Sequence, residues 1–374
     1  MELRDLDDHR VGEQSAREIA FRFLPLFFKN DASGDVSAKD FRLGSINNLP
    51  GFTAEDIFRS DSLSIYDLKR RLLFRDLHAT LYDGTILTVR VAATTVLGSP
   101  VPSIFVQEKN GVVAQDYGAL LKAIRKDNVV LKFETDGLTL YAPFRLGVLG
   151  ARSEDRVVID LDTKIVHSVP PLGEYSPLDV PKGDRSAAWQ SKLEFVDQIW
   201  QEAGGDFLRA FQIANSTCIC KQLSGIMHAK QDNDDFCVPA VTKMALGYHG
   251  IAREQPEIAT VMGTVIDSSI GSGGTLLSNE VAGYGFLSGN ALRADADLAP
   301  TFQKARSIIG ENGTIGYPLK AGRARHAVLI TGWRTWINVA WQQLFVYDPI
   351  KAGKKGWEDC ECLEIENYVY VMPT

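Results

Sequence analysis

Alternation of apolar and polar positions marks the first half of the chain as strand-rich. LLFRDLHATLYDGTILTVRVAATTV, within residues 60–167, splits into two such runs around Asp83-Gly84, a dipeptide suited to a hairpin turn. VVLKFETDGLTLYAPF predicts a second hairpin about Asp136-Gly137, and RVVIDLDTKIVHSV a third pair of strands. One helix, DYGALLKAIRKD, interrupts them, and the first forty residues predict helix because Ile19, Phe23 and Leu26 recur at helical spacing. Pro25 ends or kinks that pattern, since proline has no amide proton to give. Residues 168–185, SVPPLGEYSPLDVPKGDR, hold four prolines and neither periodicity, so they predict an extended linker.

Beyond the linker the period changes. SAAWQSKLEFVDQIWQEAGGDFLRAFQIAN predicts two amphipathic helices broken at Gly204-Gly205, with Trp189, Leu193, Val196 and Trp200 on one stripe. A further helix signal runs from Cys237 to Tyr248, and HAVLITGW, QQLFVYDP and LEIENYVYVMP then predict strands. Helices followed by an antiparallel sheet give an α+β layout. The predicted organisation is a β-rich domain with a helical start over 1–167, a linker over 168–185 and an α+β domain over 186–374.

Composition narrows the function classes. Of 374 residues, 45% are apolar and 23% charged, enough to bury a full core. Forty basic and 47 acidic residues leave a charge of −7, spread over both halves, so no basic arm exists to neutralise phosphates, and nucleic acid and anionic membrane are poor partners. No apolar run reaches the roughly eighteen residues a spanning helix needs, and the charged start MELRDLDDHRVGEQ is unlike a secretory peptide. With five cysteines and no export signal, reduced thiols and a cytoplasmic location are the expectation.

Chemistry concentrates in QDNDDFCVPAVTKMALGYHG, residues 231–250. Pro239 suits a helix's first turn, and Val241, Met244, Ala245 and Tyr248 follow at helical spacing, which puts Cys237 at a helix N-terminus. Free amides and the positive end of the helix dipole favour a thiolate there. A buried core cysteine is the plain alternative. A thiolate mechanism needs a base, a group orienting it, and an oxyanion donor. Among six histidines, His326 opens a strand signal, and Asp348 closes the next. A hairpin whose turn lies within Arg334–Asn338, about the midpoint 337, would set His326 beside Asp348 at one end of the sheet. Asn338, at that turn, falls too far from His326 to orient it. Gln231, six residues before Cys237, can offer its carboxamide to the pocket shared by the Cys237 amide.

Gln-x5-Cys at a helix start, His-Ala-Val-x-Ile-x-Gly-Trp, and Val-x-Asp-Pro together resemble the papain-like cysteine peptidases, closest to the bacteriocin-processing, double-glycine leader peptidase branch. The similarity runs through CVPAVTKMALGYHG, EIATVMGT and the glycine-rich SSIGSGGT, over residues of about 228–350. It implies a thiol nucleophile at Cys237, an imidazole base at His326, an orienting carboxylate at Asp348 and an oxyanion donor at Gln231. It further implies a peptide or protein substrate and no cofactor or metal. Val238 stands where many relatives carry glycine, and the transmembrane and ATPase segments that accompany exporter peptidases are not in this sequence. A catalytically silent papain-fold scaffold is the second reading.

Other features read plainly. SSIGSGGT lacks the Lys-Ser/Thr of a phosphate loop. Cys218-Ile-Cys220 and Cys360-Glu-Cys362 are spaced too closely for usual zinc pairs and read as free thiols. His249 reads as a packing residue. Asp232, Asp234 and Asp235 read as a solvated loop that could favour basic substrate residues. The β-rich half could inhibit the cleft, dock substrate or bind a partner.

Overall fold

The computed structural model describes residues 10–27, 54–58, 62–80, 86–107, 117–128, 131–142, 145–152, 155–161, 166–169, 185–266, 274–311, 316–323, 326–349, 354–360, 363 and 365–374. It is a mixed α+β structure that divides by its internal contacts into two compact units, Met1–Cys218 with Thr335–Trp341, and Ile219–Arg334 with Gln342–Thr374. The proline-rich segment lies almost wholly outside the described residues. The division falls instead at residues 218 and 219, so the helix pair after the linker groups with the first unit.

In the first unit, α1 (Glu13–Phe23) passes into a 3₁₀ turn at Leu24–Leu26, where Pro25 occupies an early position that needs no amide proton. A short α2 (Ala54–Ile57) precedes the strands β1 (Leu63–Asp67), β2 (Leu72–Thr80), β3 (Ile86–Ala92) and β4 (Ser103–Gln107). After α3 (Tyr117–Asp127) come β5 (Lys132–Phe133), β6 (Leu138–Ala142), β7 (Arg145–Arg152), β8 (Asp155–Asp160) and β9 (Val166–Ser168). The expected β2–β3 hairpin is present, with Thr80 opposite Ile86, although its Asp83-Gly84 turn lies outside the described residues. The expected β8–β9 pair is also present.

The hairpin expected about Asp136-Gly137 does not form. β5 pairs with β7, while β6 lies parallel to β1, with Ile65 opposite Leu138, and antiparallel to β7. Gly137 is there for a different reason: a Cβ at that position would sit 2.1 Å from the Ser64 carbonyl oxygen. The glycine lets two backbones approach rather than letting one turn.

The helix pair α4 (Ser186–Glu202) and α5 (Phe207–Ser216) breaks as expected, because Gly204 and Gly205 take φ of 65° and 80°, which side chains with a Cβ resist. The buried stripe of α4 is rotated from the predicted one. Trp189, Lys192, Phe195, Val196 and Ile199 face inward, and Leu193 and Trp200 are half-buried. A lysine on that face reads as solvent in any polarity pattern. Here its Nζ donates to the Gly98 carbonyl at 3.1 Å and lies 5.9 Å from the Trp341 ring centre.

The second unit begins with β10 (Cys218–Gln222), shared at its first residue with the first. The helices α6 (Cys237–Tyr248), α7 (Gln255–Val261) and α8 (Leu277–Leu287) follow, then β11 (Leu292–Asp297), α9 (Phe302–Ile309) and β12 (Leu319–Arg323). The chain closes with β13 (His326–Trp336), β14 (Val339–Asp348), β15 (Lys354–Asp359) and β16 (Asn367–Pro373). Strand order is β11-β16-β12-β13-β14-β15, with β10 on β13. The polarity pattern singled out neither β12 nor β15; both are short, and β12 carries a buried lysine. The core gathers Trp333, Val328, Ile330, Leu344 and Val346 of the β13–β14 pair with Phe302 and Ile309 of α9. No helix of the described residues is long and apolar enough to cross a membrane.

Candidate active site

Helix α6 is buried on nearly every side, including Val238, Pro239, Ala240, Val241, Thr242, Met244 and Ala245. An apolar helix of this kind belongs inside a core, and its residue types have no other place to go. The loop before it turns on Asn233, whose side chain accepts the Asp235 amide while its carbonyl accepts the Phe236 amide. The chain therefore enters the helix at Cys237, in the first turn, where backbone amides have no partner within the helix.

His326 and Asp348 stand at the two ends of the β13–β14 pair, whose connection is the two-residue turn Ile337-Asn338. The two strands bring their outer ends together, and His326 Nε2 lies 2.8 Å from Asp348 Oδ1. Asp348 is 5% exposed and the His326 side chain 13%. With Nε2 engaged, Nδ1 is the ring atom left for the thiol of Cys237, to which the imidazole is hydrogen-bonded. The Ala327 amide also points at the sulfur.

The electrostatics follow from this packing. Burial works against an imidazolium at His326, but the Asp348 carboxylate outweighs it, and with the Cys237 hydrogen bond lifts the ring to about 9. Burial likewise raises the Cys237 thiol, yet the His326 bond and charge, the Ala327 amide and the charge of Lys320 bring it below the ordinary thiol value. Both shifts favour the thiolate and the imidazolium over the neutral pair.

Gln231 is buried in the loop before α6. Its backbone amide donates to the Pro349 carbonyl at 2.7 Å, tying the loop to the residue after Asp348. Its Nε2 donates to the Asp234 carbonyl at 3.1 Å, which fixes which end of the carboxamide is nitrogen, and one N–H remains. Its Oε1 has no hydrogen-bond partner among the described residues. Cys237, His326 and Asp348 are thus in contact, and Gln231 lies in the loop that is tied to the residue after Asp348 and leads to the start of α6.

No protein-family model matches the chain, and no curated protein matches it. Several solved structures are similar over part of it. One is the peptidase domain of Streptococcus ComA, a bifunctional ABC transporter of a quorum-sensing pathway: 15% identity, TM-score 0.29, covering 39% of this chain and 97% of that one. Another is a double-glycine-motif protease from an AMS/PCAT transporter bound to its leader peptide, at 15% identity and a TM-score of 0.30, covering 42% of this chain and 98% of that one. Likenesses this low carry no weight here, and the chemistry rests on the residues themselves.

Four polar residues near the site gave no signal in the sequence. His228 Nε2 donates to the Asp348 carbonyl at 2.8 Å. Gln255, 2% exposed, bonds the chain on both sides of Gln231. Lys320 and Glu280 form a buried pair at 2.8 Å, and Lys320 also bonds Asn367 at 3.2 Å. None lies in a motif, and each becomes visible only when distant segments meet. Asn338 occupies the turn, at the far end of the hairpin from His326. His249 is half-buried and stacks on Tyr317, with ring centres 5.7 Å apart, and burial pushes its pKa down. SSIGSGGT lies outside the described residues except for its last two. No disulfide joins Cys218, Cys220 and Cys360, Cys362 lies outside the described residues, and no cluster that could hold a metal occurs among the described residues.

Proposed function

We propose that this chain is a papain-like cysteine peptidase, hydrolysing or transferring at an amide bond of a peptide or protein. The observation that carries the reading is the run of contacts from the Cys237 thiol through the His326 ring to the Asp348 carboxylate, buried at a helix N-terminus. In the forward step the Cys237 thiolate attacks the substrate carbonyl carbon, and the electron pair moves onto oxygen. The second Gln231 N–H and the Cys237 amide stabilise that oxyanion. The His326 imidazolium then gives its proton to the leaving amine, and the carbon–nitrogen bond breaks. Neutral His326 next takes a proton from water, or from an acceptor amine, which releases the acyl group. Asp348 holds the ring in the orientation that serves both transfers.

The test is reactivity. Cys237 should react with iodoacetamide or a peptide vinyl sulfone near pH 6, where an ordinary thiol titrating near ~8.5 is almost wholly protonated. Cys237→Ala should abolish labelling and turnover and leave the fold intact. A thiol that titrates in the ordinary range points instead to a silent scaffold.

A further inference from the structure

Gln231 sits on a loop, and a loop residue donates to an oxyanion only if its main chain is held. Three consecutive main-chain groups of this loop are fixed by partners from elsewhere in the chain. The Lys230 carbonyl accepts from Gln255 Nε2 at 2.6 Å, and the Asp232 amide donates to Gln255 Oε1 at 3.0 Å. Between them the Gln231 amide donates to Pro349. Gln255 opens α7, is 2% exposed, and is followed by Pro256, whose fixed φ stiffens that turn.

We propose that Gln255 is a positioning residue, which sets the Gln231 carboxamide at the nucleophilic sulfur by gripping the chain immediately before and after it. The proposal rests on the reading of Gln231 as oxyanion donor. A carboxamide suits the task as few side chains do, because it donates and accepts at once. A carboxylate could only accept here, and an ammonium could only donate. The grip comes from a helix, so the loop inherits the precision of a rigid element. Gln255 touches neither the sulfur nor the ring, and its effect passes through Gln231.

Two reagents separate this role from a merely structural one. p-Nitrophenyl acetate acylates the thiolate: a sulfur–carbon bond forms, an oxyanion intermediate collapses, and nitrophenolate leaves. Iodoacetamide alkylates the same thiolate by direct displacement of iodide and never forms an oxyanion. The ratio of the two rate constants, measured on the full chain, therefore reads oxyanion stabilisation independently of how much thiolate is present.

Gln231→Ala should lower that ratio by about 10²-fold, the usual cost of one oxyanion donor. Gln255→Ala should lower it by about tenfold or more, as a small displacement of a positioned group does, with alkylation itself little changed. The double variant should match Gln231→Ala alone. Gln255→Met keeps the size without a buried charge and loses both bonds, so a loss of the same sign is expected; it serves where the alanine variant, with its cavity, melts too low to assay. An unchanged ratio in both Gln255 variants overturns the proposal. So do an equal fall of both rate constants, or a double variant worse than Gln231→Ala by the full factor of Gln255→Ala. If Gln231→Ala itself leaves the ratio unmoved, the oxyanion reading fails, and the proposal built on it fails too.

Discussion

Replacing Asp348 by asparagine keeps the size of a buried side chain and removes its charge. In the native protein that carboxylate, 2.8 Å from His326 Nε2, is the chief cause that overcomes burial and lifts the ring to about 9. Against an ordinary imidazole near ~6.5, this favours the imidazolium by about 3 kcal/mol. Without the charge, burial acts on the ring largely unopposed and drives its pKa below the ordinary value. The thiol then loses its cation, and burial raises it to or above the ordinary ~8.5. The sign is therefore definite. Native Cys237 ionises below the ordinary thiol value, whereas the Asp348→Asn thiol ionises at or above it. Near pH 6 a thiol titrating at ~8.5 is about 0.3% ionised, so iodoacetamide alkylation should fall by up to about 10²-fold. Near pH 10 the two proteins should react at similar rates. The assay is the second-order alkylation rate across that range, with Cys237→Ala as blank. An Asp348→Asn rate within about threefold of native near pH 6 would refute the account, because the ion pair would then not depend on the carboxylate.

Three further outcomes follow from the packing. Lys320→Met leaves Glu280, 1% exposed, without its cation, and should cost about 3–5 kcal/mol in chemical denaturation. Lys320→Met with Glu280→Gln should recover most of it, and a double variant no more stable than the single would show that the pair is not what matters. Gly137→Ala forces a Cβ against the Ser64 carbonyl and should destabilise the first unit by about 1–3 kcal/mol, seen as a lower melting transition with alkylation of Cys237 unchanged. Gly205→Ala, at φ 80°, meets no steric neighbour and should cost only about 1–2 kcal/mol through its backbone, so a larger loss of melting temperature would point to a packing role.

What the amino-acid sequence determined by itself was local. The 3.6-residue period and Pro239 place Cys237 at the start of a helix, the two glycines at 204 and 205 break the helix pair, and the pattern of apolar and polar positions marks β2, β3, β13 and β14. That His326 and Asp348 share one end of a hairpin was also legible, because two strands joined by a short turn run back alongside each other and bring their outer ends together. Side-chain preferences act over a few residues, and these features need nothing more.

Tertiary structure decided whatever depends on partners far along the chain. Gly137 reads as a turn until the Ser64 carbonyl is beside it, and Lys192 and Lys320 read as surface until Gly98 and Glu280 receive them. Gln255 carries no pattern at all, and its importance lies in two hydrogen bonds to a loop 23 and 25 residues away. A buried polar group is stable only where its partners converge on it, and sequence polarity records the group without recording that convergence.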